Sequence, residues 1–286
     1  QIVLAGGVEQ MSQIPYVIRG MRFDGFRMGA APIEDYLTSA LTDAYAGTPM
    51  AITAENLAEK YSISREACDE YSLLTQKRCA EALAKNYFDI EMTSVTVKTK
   101  KGEVVISKDE HPKPDVSPEK VRGMKPLFKE GGTVTAATAS GIVDGAAMSV
   151  LMSEAEAKRR GLKPLAKILG WASVGCDPKI MGIGPAFAIP KALERCGLTL
   201  QQMDLIEVNE AFAAQYLAVE KELGLDRSKT NVNGGAIAIG HPLAASGTRI
   251  MNHLMYELAR RPLARYAIGS ACIGGGQGIA VVIEKP

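Results

Sequence analysis

The chain has 286 residues, 47% of them hydrophobic and 23% charged, with a formal net charge of +1. That composition is globular, enough for one large or two medium domains. It excludes nucleic acid as the main partner and any helical membrane span, since no basic patch with interleaved aromatics and no run of ~20 apolar residues occurs.

The opening Gln1-Ile2-Val3-Leu4-Ala5-Gly6-Gly7 reads as a buried strand of a parallel sheet ending in a glycine turn, and thus as the interior of a domain. Residues 12 to about 50 carry scattered Pro and Gly and read as extended loop with one or two short helices. Thr53 is placed to cap a helix running through Tyr61. Ser64 is placed to cap a second, to about Asn86. Val95 to Val97 and Val104 to Ile106 alternate around the turn Lys101-Gly102, a hairpin. Residues 107–130 are charged, hold Pro112, Pro114, Pro118 and Pro126, and read as a solvated excursion. In residues 132–152 small side chains dominate, which suits close backbone packing against a ligand or another subunit, before a strand-like run.

From Lys163 the pattern becomes regular: a strand at Leu165–Val174, a helix from Pro185 to the stop at Gly197, and a buried strand Leu205–Val208. A helix from Glu210 to Leu223, a glycine loop, a helix from Ser246 to Arg260 and strands Tyr266–Ala271 and Ile279–Ile283 follow. This order points to an α/β layered domain.

Four loops lie where ligands bind in such domains, at strand ends. They are Ala139-Ser140-Gly141, Asn209-Glu210-Ala211-Phe212, the stretch from Gly234 to His241-Pro242, and Cys272-Ile273-Gly274-Gly275-Gly276. Asn209 suits either a helix N-cap or an amide serving an oxyanion. His241 is clamped between Gly240 and Pro242. The other histidines, His111 and His253, read as solvated or structural. Gly235-x-x-x-x-Gly240 imitates a phosphate loop but has His241-Pro242 in place of its lysine and hydroxyl, so nucleotide hydrolysis is poorly supported. Cys68, Cys79, Cys176, Cys196 and Cys272 form no C-x-x-C pair, which argues for free thiols, a reducing compartment and no metal site. A thiol, an imidazole and a carboxamide on loops at one sheet edge suit acid–base work on a carbonyl compound.

NEAF, GGAIAIGHPLAASG and CIGGGQG, in that order, together with LAGGVEQMS and TVTAATASG, resemble the thiolases, most of all the mitochondrial-type 3-ketoacyl-CoA thiolases that include the acetyl-CoA acyltransferases. The match runs through essentially the whole chain. The resemblance implies the layered α-β-α-β-α thiolase fold with its first half largely missing. Residues 1–11 and 142–160 would be remnants of that half, 12–141 a loop domain covering CoA, and 161–286 the second half.

It implies acyl transfer from a 3-ketoacyl-CoA to CoA, the thiolysis of fatty acid β-oxidation, with the reverse condensation also open. Coenzyme A would be substrate, with no permanently bound cofactor. Cys272 matches the acid/base cysteine, His241 the histidine that activates the nucleophile and serves one oxyanion hole, and Asn209 the asparagine holding that hole's water. The Gly274 amide matches a donor of the second hole. Ser140, Met50, Phe128, Ala211 and Phe212 match the acyl-CoA channel.

The family's nucleophilic cysteine lies upstream of the LAGG stretch, so the chain alone is expected to be inactive. A non-catalytic acyl-CoA- or lipid-binding module is the alternative. Ala244 replaces a usual Gly, and Ala137-Thr138 replaces a usual Gly-Asn. Pro49 stands where short-chain biosynthetic thiolases often carry His, favouring the broader 3-ketoacyl reading. A homodimer or homotetramer at full length, in the mitochondrial matrix or cytoplasm, completes the expectation.

Overall fold

The computed structural model describes residues 2–23 and 25–286. The chain opens with β1 (Ile2–Glu9) and then a long excursion. The excursion holds the two-residue strands β2 (Tyr16–Val17) and β3 (Glu34–Asp35), α1 (Tyr36–Ala40), and the small hairpin β4 (Thr42–Asp43) and β5 (Thr48–Pro49). Helices α2 (Met50–Tyr61) and α3 (Arg65–Ala84), the hairpin β6 (Val95–Thr99) and β7 (Gly102–Ile106), and α4 (Pro118–Arg122) complete it. After β8 (Gly145–Met152) and α5 (Glu154–Arg159) come β9 (Lys167–Gly175), α6 (Gly184–Cys196), β10 (Leu205–Val208) and α7 (Ala213–Leu223). The short α8 (Ala236–Ile239), α9 (Leu243–Arg260), β11 (Tyr266–Ile273) and β12 (Gln277–Glu284) end the chain.

Strands β10, β11, β12 and β9 form one sheet in that order, with β10 and β11 parallel and the other pairs antiparallel. Side chains alternate across it, as a period of two requires. Ile206, Ile268 and Val282 face α6 and α7, packing with Ile189, Ala192, Tyr216 and Val219. Leu205, Ala267 and Ile283 face α9, packing with Ile250, Leu254 and Leu258. Helix α9 has a second neighbour, the antiparallel ribbon β1–β8, so it lies between two sheets. Gly7 sits against the Ala244 carbonyl and Gly145 against the Pro242 ring, so a methyl at either would strike the first turn of α9.

Several elements follow the sequence reading. Ser64 accepts the Ala67 N–H at 3.1 Å as cap of α3. Gly197 ends α6 in the left-handed region at φ 65°. The Val95–Ile106 hairpin and the Leu205–Val208 strand form as read.

Three helices begin earlier or later than read, for physical reasons. Helix α2 starts at Met50, and Thr53, three residues in, bonds back to the Met50 carbonyl at 2.6 Å instead of capping. Helix α7 starts at Ala213 with Phe212 as N-cap, because Asn209 is used elsewhere. Helix α9 starts at Leu243, and Ser246 lies inside its first turn.

Two expectations fail. Strand β1 pairs antiparallel with β8 instead of joining a parallel neighbour. Among the described residues α9 packs on one face of the ribbon, and Leu4, Val8, Met148 and Val150 lie on the other. Residues 107–130 are not simply solvated. Val121 is buried, and the Arg65 guanidinium donates to the Val121 and Met124 carbonyls, fastening this segment to α3.

Candidate active site

The parallel pair β10–β11 places the central groups. Val208 stands opposite Ser270, and the Asn209 N–H donates to the Ser270 carbonyl at 2.9 Å. Asn209 therefore ends one strand while Cys272 lies near the end of its neighbour, two residues past Ser270. Helix α7 delays its start by three residues, so the Asn209 amide is free of capping. It meets the imidazole of His241, Nδ2 to Nε2, at 3.1 Å. Its Oδ1 is buried and has no protein partner. A buried acceptor of that kind needs a donor from water or ligand.

His241 is held from three sides. Its N–H donates to the Gly141 carbonyl at 3.0 Å, which ties the loop carrying Ser140 to it. Its Nδ1 lies 2.6 Å from Ser246 Oγ, which is also 3.0 Å from the Pro242 carbonyl. Ser246 is the pivot of the ring's proton. When its hydroxyl donates to Pro242, it accepts Nδ1–H and leaves a lone pair on Nε2. When it donates to Nδ1, the proton sits on Nε2, which then becomes a donor. Burial, assisted by the nearby Arg249 guanidinium, pushes the His241 pKa down to about 4, so the ring is neutral at working pH. Arg249 is itself paired with the buried Glu207 of β10.

Cys272 lies opposite Gly278 in the β11–β12 pair and is half-buried. Burial pushes its thiol up to about 12, so it is held protonated. The turn after it runs through Gly275 and Gly276, both in the left-handed region at φ 81° and 82°. Gly274 lies against Met50: a methyl added there would be 2.6 Å from the Met50 Cε.

The other expected residues fall in two groups. The Ser140 N–H donates to the Ala211 carbonyl at 3.0 Å, and Ala139 bridges to Phe212, so the two loops are joined. Phe212 packs on Ala51, Ala54 and Val134 beside Met50. Glu55 of α2 locks this arrangement by accepting the Thr133 and Val134 N–H groups at 2.9 and 2.8 Å. Thr138, at one of the departures from the usual Gly-Asn, donates to the Thr133 carbonyl at 2.8 Å and is buried. Phe128 is 47% exposed and takes no part in these ties.

Four roles are not visible in the motifs alone. Asp43 accepts the Gly275 N–H, Ser246 holds the imidazole, and Tyr71 and Thr75 bind the carboxylate of Glu210 beside Asn209. Each meets its partner only through the fold. His111 is half-buried, and its ring rests on Gly141. His253 is buried between Asn233 and Glu91, a structural role. All five cysteines are free thiols. Burial raises Cys68 and Cys79 to about 12 and also raises Cys176 and Cys196, so none of these is an activated thiolate. No cluster of His, Cys, Asp or Glu among the described residues has the makings of a metal site, and none of their helices is long and apolar enough to cross a membrane.

Sequence profiles of the thiolase N-terminal domain and the thiolase C-terminal domain match residues 1–155 and 162–285. The mitochondrial 3-ketoacyl-CoA thiolase of Bos taurus is 57% identical over 286 residues, all of this chain and 72% of that relative. The acetyl-CoA acetyltransferase of Chromobacterium violaceum is 50% identical, over all of this chain and 73% of that relative. The crystal structure of human mitochondrial 3-ketoacyl-CoA thiolase superimposes with a TM-score of 0.97 at 54% identity, covering 100% of this chain and 72% of that one. The same human enzyme in complex with CoA gives 0.95 at 52% identity, over 100% and 71%. Two matching domain profiles and more than half the residues shared along its whole length make the chain a member of the thiolase family, with the thiolase fold.

Proposed function

We propose that these residues supply the acid–base and oxyanion-binding parts of a thiolase reaction, acyl transfer between a 3-ketoacyl-CoA and CoA that yields acetyl-CoA and a shortened acyl-CoA. One observation carries the reading: the buried Asn209–His241 pair stands at a strand end next to the one that bears Cys272, with an Asn209 oxygen left for a water.

Attack of a thiolate on C3 forms a thioester of the shortened acyl group and breaks the C2–C3 bond, whose electrons leave as the enolate of acetyl-CoA. A water on Asn209 Oδ1 holds the enolate oxygen, and with Ser246 donating to Nδ1 the Nε2–H of His241 joins it once the Asn209 amide turns its Nδ2 away from the ring. The Cys272 thiol gives its proton to C2. A thiol buried to a pKa of about 12 is kept in the acid form for this step. Its thiolate is then basic enough to take the proton from the CoA thiol, which attacks that thioester and releases the first thiolate. The attacking thiolate of the first step is not among Cys68, Cys79, Cys176 and Cys196, whose burial keeps them protonated. The Gly274 N–H, which has no acceptor among the described residues, serves the second carbonyl oxygen. Met50, Ser140, Phe128, Ala211 and Phe212 line the path for the acyl-CoA, and the segment 12–141 covers it.

The relatives' names favour the mitochondrion over the cytoplasm.

The test is CoA-dependent cleavage of a 3-ketoacyl-CoA by protein of full family length. Cys272→Ala should lower kcat by at least ~10²-fold while acyl-CoA still binds. Wild-type protein that binds acyl-CoA and never turns it over would refute the reading in favour of a binding module.

A further inference from the structure

The turn Gly274–Gly276 has little conformational preference of its own, since glycine at φ 81° and 82° is unrestrained. Its shape is set by what holds it from outside. The Gly276 carbonyl accepts the Cys176 N–H at 2.7 Å. The Gly274 carbonyl accepts Gln277 Nε2 at 3.1 Å. Both ties arise within the sheet that carries Cys272. The third comes from the covering segment: the Gly275 N–H donates to Asp43 Oδ2 at 2.5 Å, across 232 residues of sequence.

Asp43 is buried, and its two oxygens have separate tasks. Oδ1 accepts the Tyr45 and Ala46 N–H groups at 2.8 and 2.9 Å, closing the β4–β5 turn. Oδ2 leaves that turn and aims at Gly275. The N–H end of the Gly274–Gly275 peptide is therefore held by Asp43, and its C=O end by Gln277. A peptide pinned at both ends cannot rotate, and with Ile273 fixed in the β11–β12 pairing on the other side it leaves the φ and ψ of Gly274, and so the adjoining amide, little freedom. That adjoining amide is Gly274 N–H, which has no hydrogen-bond acceptor among the described residues.

We propose that Asp43 is a positioning residue for the acyl transfer: it pins the Gly274–Gly275 peptide so that Gly274 N–H points at a substrate carbonyl oxygen. Asp43 does not touch the substrate, and the inference rests on the thiolase reading above. A carboxylate suits the task because bonds from backbone N–H to an ionised acceptor are short and strong. The bonds from Ala46, Gly275 and Tyr45 hold its pKa below the usual range, so it stays ionised.

Asp43→Asn isolates the tie. Its Oδ1 keeps the Tyr45 and Ala46 bonds, while its Nδ2 faces Gly275 N–H, donor against donor. In full-length protein we expect kcat to fall about 30- to 100-fold with the KM for CoA within about twofold of wild type. In the chain itself, amide deuterium exchange at Gly275 should rise by at least about tenfold. A kcat within threefold of wild type, or unchanged exchange, overturns the proposal. Wild-type protein without thiolysis overturns the functional reading instead, and the exchange result still decides the pinning. If Asp43→Asn does not fold, Gln277→Ala cuts the other end of the same peptide from an exposed position. A several-fold loss of kcat at constant KM supports the proposal, and an unchanged kcat refutes it.

Discussion

Glu210, the residue after Asn209, offers a test of the scaffold that needs no substrate. Its carboxylate is buried and takes bonds from Tyr71 Oη at 2.6 Å, Thr75 Oγ1 at 3.0 Å, Asn231 Nδ2 at 2.9 Å and the Ile237 N–H at 3.1 Å. It joins helix α3, the end of β10 and the loop leading to His241. In Glu210→Ala the Asn231 amide still has the Val208 carbonyl at 2.9 Å. The Tyr71 and Thr75 hydroxyls and the Ile237 N–H lose their acceptor. Each orphaned buried donor costs about 1–3 kcal/mol, and removing a carboxylate that was itself costly to bury offsets part of the sum. We expect a net loss of about 3–5 kcal/mol, read by urea unfolding with circular dichroism at an unchanged m-value. A loss under about 1 kcal/mol would refute the reasoning, since the donors would then have found other partners without penalty. Burial also raises the Glu210 pKa. The folded chain then holds this proton more tightly than the unfolded one. Glu210's contribution to stability is complete below its unfolded pKa of about 4.3 and is lost as pH rises through the raised folded value. Glu210→Gln should remove that slope.

His241 titrates with the opposite sign. Its folded pKa of about 4 lies below the unfolded value, so its contribution is present above about pH 6.5 and is lost as pH falls toward 4. His241→Gln should flatten a stability change of roughly 2–3 kcal/mol over that window in pH-dependent melting. Gly141→Ala should drive the His111 ring from its place and cost about 1–3 kcal/mol. Combining it with His111→Ala should recover most of that loss in a double-mutant cycle, and strict additivity would count against the contact.

Local signals carried much of the fold. Alternation marked the Val95–Ile106 hairpin, Ser64 and Gly197 marked a helix start and a helix end, and a short, mostly apolar stretch marked Leu205–Val208. The loops bearing Asn209, His241 and Cys272 were legible because glycine punctuation at strand ends is written in consecutive residues. The misread starts share one cause. Thr53, Asn209 and Ser246 are good capping types, but each spends its side chain on another partner: the Met50 carbonyl, the His241 ring, and that ring with the Pro242 carbonyl. No window of neighbouring sequence shows this. Asp43 was invisible for the same reason, because its acceptor role exists only where the covering segment folds back onto Gly275. The antiparallel pairing of β1 was hidden because an apolar run does not name its partner strand.

The ribbon β1–β8 gives the imidazole a remote foundation. Gly7 and Gly145 press on the turn that follows His241, and the Glu9 carboxylate accepts the Ala244 N–H at 3.1 Å. A bulkier residue at Gly7 would shift the first turn of α9 before it melted the sheet. In a genetic screen such lesions would be scored as defects of turnover, although the altered residue never meets a thioester. A map of intolerant positions would thus overstate the size of the reaction centre, counting its buttresses among its tools.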